Sequence, residues 1–189
     1  MTVSFNPPSQ PGGNQLNPVA IWVQNLIDSL KAAFSQVNLI RPVIPSVMFE
    51  TGAVATGTNG NMPGFADTIP TNTMGDQFMS LAYTPTNVGS TLIIDVICAL
   101  VATSVASSPT AALYQDTTVN ALASSIVSGG GPFFFAFRHK MTAGTTSATT
   151  FKVRIGMDRA GTLTFNGSGG SRVMGGTLAS SITITEILP

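Results

Sequence analysis

The side chains that could carry covalent chemistry are few: one cysteine, Cys98, and one histidine, His139, in 189 residues. A thiol or hydroxyl nucleophile needs a base within hydrogen-bond reach, and His139 sits between two cations, Arg138 and Lys140. In that setting it reads as a solvated strand end. Cys98, inside LIIDVICAL, reads as a small buried hydrophobe. Glycoside hydrolysis needs two carboxyl groups astride the scissile bond. The acids Asp28, Glu50, Asp67, Asp76, Asp95, Asp116, Asp158 and Glu186 are instead scattered singly. Asp95, lying in an apolar run, is the acid expected to be perturbed, through a strand-edge or interface hydrogen bond. One Cys and one His cannot build a structural zinc site, and no D-x-D-x-D-G loop marks a calcium site. Asn166-Gly-Ser-Gly-Gly170 follows a strand but lacks the Lys-Ser/Thr and helix of a phosphate loop, so it reads as a hairpin or wide turn. No catalytic residue, metal or cofactor is therefore expected, and a binding or structural role is favoured over an enzyme.

Composition points the same way. The chain has 8 Lys+Arg and 8 Asp+Glu, with 8% charged and 43% hydrophobic residues. A zero formal charge and a pI near 6.5 give no electrostatic footprint for nucleic acid or an anionic membrane. Residues 1–16 lack the basic and apolar regions of a secretory signal. The most apolar run, Leu92–Ala106, is shorter than the roughly 20 residues of a membrane span and carries Asp95. Membrane insertion is not expected.

The elements that must position any site follow from periodicity. Pro7, Pro8, Pro11, Gly12 and Gly13 make residues 1–16 an extended arm, suited to docking on another protein. Asn17 can cap a helix whose first residue is Pro18. From there Val19, Val23, Leu26, Leu30, Ala33 and Val37 recur in alternating steps of four and three, the a and d positions of a heptad. Trp22, Ile27 and Phe34 widen that stripe. The spacing predicts an oligomerising helix over 17–40, and the width favours a trimer. An amphipathic helix lying on its own domain would show the same stripe. Arg41-Pro42 and Pro45 end the helix.

Residues 41–189 read as a β-sandwich with no crossover helices. Strands are expected at Ser46–Thr51, Gln77–Tyr83, Thr91–Ala102, Ala111–Gln115, Pro132–Lys140, Thr150–Asp158, Thr162–Phe165 and Ser181–Leu188. In one of them Phe151, Val153, Ile155 and Met157 alternate against Lys152, Arg154 and Asp158. Residues 52–75 are long for a patternless loop and are either functional or partly strand. The expected class is mainly β: an antiparallel, jelly-roll-like sandwich preceded by one N-terminal helix in a short coiled coil.

Two stretches carry a family resemblance. One runs from Gly75-Asp76-Gln77-Phe78 through Thr84-Pro85-Thr86 and TLIIDV to AALYQDTTVNALAS; the other is the segment 149–187, closing on SITITEI. Together, over roughly residues 46–188, they resemble a C-terminal β-knob domain of bacteriophage tail fibres, head fibres and other virion appendages. The resemblance implies a trimeric knob, similar in architecture to tumour-necrosis-factor and complement-type heads. It implies no catalytic motif and transfers no receptor residues. The resulting expectation is a non-enzymatic virion protein: arm docked on another virion protein, helix trimerising, knob meeting a host-surface polysaccharide or protein. A capsid decoration or vertex protein stabilising the head is the main alternative, and a surface depolymerase or esterase the lesser one.

Overall fold

The computed structural model describes residues 17–39 and 45–189; the expected arm, 1–16, lies outside them. The chain divides into two compact units, Met1–Val43 and Ile44–Pro189.

In the first unit the helix α1 spans Pro18–Leu39. Its start is the one the sequence encodes. The Asn17 side-chain oxygen accepts the Val19 amide at 2.7 Å and the Ala20 amide at 3.4 Å, while Pro18 has no amide to satisfy. On the solvated side Gln24 donates to Asp28 one turn on, at 3.0 Å. Among the described residues no helix is long and apolar enough to cross a membrane.

The second unit is built from β1 (Ser46–Thr51), β2 (Ala55–Gly57), β3 (Asp76–Tyr83), β4 (Thr91–Thr103), β5 (Thr110–Gln115) and β6 (Ala123–Ile126). It continues through β7 (Pro132–Thr142), β8 (Thr149–Gly156), β9 (Leu163–Phe165), β10 (Gly167–Ser168), β11 (Ser171–Arg172) and β12 (Ser180–Ile187). One antiparallel sheet runs β1-β12-β4-β9-β2 with β7 also on β4; the other runs β3-β8-β5-β6. β4 is long enough to take two partners in line: β12 lies along Thr91–Ile97 and β9 along Val101–Thr103. β9 with β12, and β1 with β2, thus act as two broken strands. Counted that way, the orders are 1-8-3-6 and 2-7-4-5, the two Greek keys of a jelly roll. The fold is the mainly β, two-sheet antiparallel sandwich with one N-terminal helix that the pattern predicts.

The core lies between the sheets and is supplied by alternate residues. Leu92, Ile94, Val96 and Cys98 of β4 meet Phe151, Val153 and Ile155 of β8, with Phe135, Leu113, Ile182 and Ile184 completing it. A bulge in β3 between Gln77 and Met79 breaks strict alternation, so that Phe78 and Met79 both pack on the core. The Phe78 ring stacks on Phe165 at 5.0 Å.

The patternless stretch 52–75 resolves into β2 and a strap, residues 58–75, laid over the outer face of the β3-β8-β5-β6 sheet. Buried Met62 pins one end, its amide donating to the Met157 carbonyl at 3.0 Å. The Arg154 guanidinium donates to the Met74 and Gly75 carbonyls at 2.9 and 2.6 Å. Tyr114 donates its hydroxyl to the Thr71 carbonyl at 2.9 Å. Gly156 permits this crossing, since a Cβ there would stand 2.7 Å from the Gly75 Cα and 2.8 Å from the Asn59 carbonyl oxygen. The Asn166–Gly170 segment forms the β10–β11 hairpin, with Gly169 and Gly170 at positive φ as a tight turn requires.

Candidate functional site

Helix α1 presents the apolar stripe openly. Val19, Val23, Leu26, Leu30 and Ala33 are all exposed, and so are the flanking Ile21, Trp22 and Ile27. Trp22 is 64% exposed, an unusual position for the chain's sole tryptophan. Val37 falls on the same helix, and its side chain lies outside the described set. Contiguous exposed patches of large apolar side chains are rare on monomers, which makes this stripe a candidate interaction surface.

The groups singled out for covalent chemistry are kept apart. Cys98 is fully buried, and burial pushes its thiol up to about 12, so it is inert as a thiolate. His139 is not the solvated strand end that its basic neighbours suggest. Alternation along β7 turns it to the core side, where half-burial lowers its pKa. It pairs with Ile94 in the β4–β7 ladder, whereas Cys98 pairs with Phe135. Four residues of strand, about 13 Å, therefore separate thiol and imidazole along the sheet. Asp95 faces outward and takes a bidentate hydrogen bond from Arg138 on the neighbouring strand, at 2.6 and 3.0 Å, a cross-strand ion pair. Among the described residues no three His, Cys, Asp or Glu side chains gather to share a metal ion.

The acid that the fold does bury is Glu186. It accepts the Tyr83 hydroxyl at 2.5 Å, the Thr86 amide at 2.9 Å and the Asn87 amide at 3.2 Å. Burial works to raise its pKa, but these donors and the adjacent Ser90 hydroxyl overcome it and hold the carboxyl near 2. Ser90 Oγ stands close enough to favour the charge but short of hydrogen-bond geometry. Burial first, and the Glu186 charge second, push the Tyr83 phenol upward. With every strong donor committed to it, Glu186 clamps the 83–87 turn onto β12 and is not available to a substrate. Period-two reading had the signal: the alternation that turns Ile182 and Ile184 inward turns Glu186 inward too.

Cavities gather on the strap side of the sandwich. One of about 240 Å³ is walled by Asn72, Tyr114, Asp116, Lys152 and Arg154. Its cations are already engaged: Lys152 donates to the Asp116 carbonyl at 2.9 Å and Arg154 to the strap. Burial pushes the Tyr114 phenol up to about 12 against the opposing charge of Arg154, so it stays a neutral donor. Two more, of about 380 and 310 Å³, adjoin each other between the strap and the β5–β6 pair. These lie at the lower end of the range for small-molecule sites, ~300–1,000 Å³. The sequence marked the strap as part of a long patternless stretch that had to be either functional or partly strand.

No family model matches the chain, and no curated protein matches it. Among solved structures the likeness is distant. The EclA C-terminal domain, a sugar-binding protein, is 10% identical over 67% of this chain and 76% of that one, with a TM-score of 0.34. An infectious bursal disease virus structure, Gx strain, is 11% identical over 78% of this chain and 38% of that one, at 0.32. The enzymatically active domain of tailspike protein 4 of bacteriophage CBA120 is 13% identical over 75% and 19%, at 0.30. The chain spans well under half of the two viral proteins.

Proposed function

We propose that this chain is a non-enzymatic virion appendage, in which α1 joins three copies and the β-sandwich forms a knob that meets the host surface. The observation that carries the reading is the exposed heptad stripe of α1, in a chain whose sandwich closes its own core. A helix of 22 residues in water is marginal alone, and this one holds its largest apolar side chains in solvent. Copies of itself supply the matching surface, since a and d positions pack into one another. Trp22, Ile27 and Ile21 broaden the stripe past a two-stranded seam, which favours three helices. The resemblance over 46–188 to fibre-knob domains supports the virion assignment, with residues 1–16 as the segment that docks on another virion protein.

Light scattering tests it. The full chain is expected at about three times its 19.5 kDa, and a monomer at high concentration would overturn the reading. Purified trimer is further expected to compete with phage particles for adsorption to host cells. Labelled antibody should decorate the particle, and its position distinguishes tail from head.

A further inference from the structure

We propose that the cleft between the strap and the β5–β6 pair binds a neutral sugar chain. The inference deepens the proposed function, and rests on it only for the biological source of the ligand.

The floor of the cleft is set by strand alternation. Ala111 and Leu113 face the core, so Thr110 faces the opposite side, and its ladder partner Ile126 shares that face with Ser124. Thr110 is 3% exposed, lines the cavity, and its hydroxyl has no hydrogen-bond partner. That hydroxyl is closed to water and so equally to a ligand atom, and Thr110 gives the floor its shape; the hydroxyls a ligand can reach are those of the exposed Thr68 and Ser124. Above it the strap contributes Phe65, which is 72% exposed, with Asp67 and Thr68.

This is a wall of one uncovered aromatic face, several hydroxyls and one carboxylate. It matches a pyranose, whose C–H face lies on an aromatic ring while its hydroxyls donate to and accept from side chains. Neither cavity has a lysine or arginine in its wall, and Asp67 would repel an anion, so uronic and sialic acids are disfavoured. The two cavities share Asp67, Thr68 and Ser124 as a common wall, so a chain of more than one ring can run from one into the other.

The experiment is a methyl-resolved NMR titration of the full-length protein with neutral trisaccharides built on glucose, galactose, mannose or N-acetylglucosamine, and with oligogalacturonate as the anionic arm. At least one neutral probe is expected to move the Ile69 and Ile126 methyls saturably, with a Kd of about millimolar or tighter. Phe65→Ala and Ser124→Val should each weaken that binding about tenfold or more, while Lys152→Ala, outside the cleft, leaves it intact. Methyl shifts in unliganded Ser124→Val that match wild type away from the cleft establish that the variant is folded. The proposal is overturned if no neutral probe moves these methyls, if binding survives both cleft variants, or if only oligogalacturonate binds. Light scattering on the same samples separates the two claims. Trimers without sugar shifts sink the cleft and spare the appendage, whereas monomers with sugar shifts do the reverse.

Discussion

Helix α1 and the sandwich spend similar apolar residues in opposite ways. In the sandwich, Leu92, Ile94, Phe135, Phe151 and Ile182 disappear between two sheets contributed by one chain. In the helix, Val19, Trp22, Leu26 and Leu30 remain in water. Burying such a side chain is worth about 1.5–3 kcal/mol, so the first set stabilises a fold, and in the assembly we propose the second would contribute only on association. Stability of the sandwich is then set within one chain, and stability of the proposed helical seam by concentration.

Four changes break or sharpen that contrast. The largest effect is expected from Leu26→Asp or Leu30→Asp, which places an unpaired charge in the seam. The light-scattering mass should fall from three chains to one while the knob keeps its cooperative urea transition. Phe151→Ala should do the reverse, costing the knob about 3–5 kcal/mol through a large core cavity. Its urea midpoint drops, and the mass of the native protein at low urea stays that of the assembly.

Glu186→Gln is a subtler probe of the knob. The carboxyl ionises at a lower pH folded than unfolded, so its contribution is fully present above the ordinary value of 4.5 and fades as pH falls toward about 2. Wild-type urea midpoints should decline across that window more steeply than those of the variant. Removing the cap with Asn17→Ala has the smallest effect, about 1 kcal/mol of helix stability per chain. It should appear as a modest rise in the dissociation midpoint on dilution, with no change in knob melting.

The same contrast explains what could be read from sequence. Strands of β-branched and aromatic composition were legible: Ser46–Thr51 matches residue for residue, and the alternating Phe151, Val153, Ile155 and Met157 are all buried. The helix was legible because Asn17-Pro18 and the heptad are local signals. The β10–β11 hairpin was marked by its glycines and β2 only as part of a partly stranded stretch, whereas β6 was not, since ASSI is too short to show a period. The cleft was invisible for a different reason. Phe65 and Asp67 sit in a segment without periodicity, and they meet Thr110 only because Arg154, Tyr114 and Met62 pin the strap across the sheet. His139 misled because its basic neighbours suggest solvent, whereas strand parity, which turns every second residue inward, decides its environment.

The pairing of β1 with β12 sets an order in time. Ser46 lies opposite Thr185, a separation of 139 residues, and β12 is the neighbour β1 has in its sheet. During synthesis the first strand of the sandwich must therefore wait, unpaired, until nearly the whole knob has been made. The α1 segment is complete long before that and needs no distant partner within the chain to coil. On the ribosome, then, the helix we propose as the trimer seam is ready first, and the sandwich that must close on itself is zipped last.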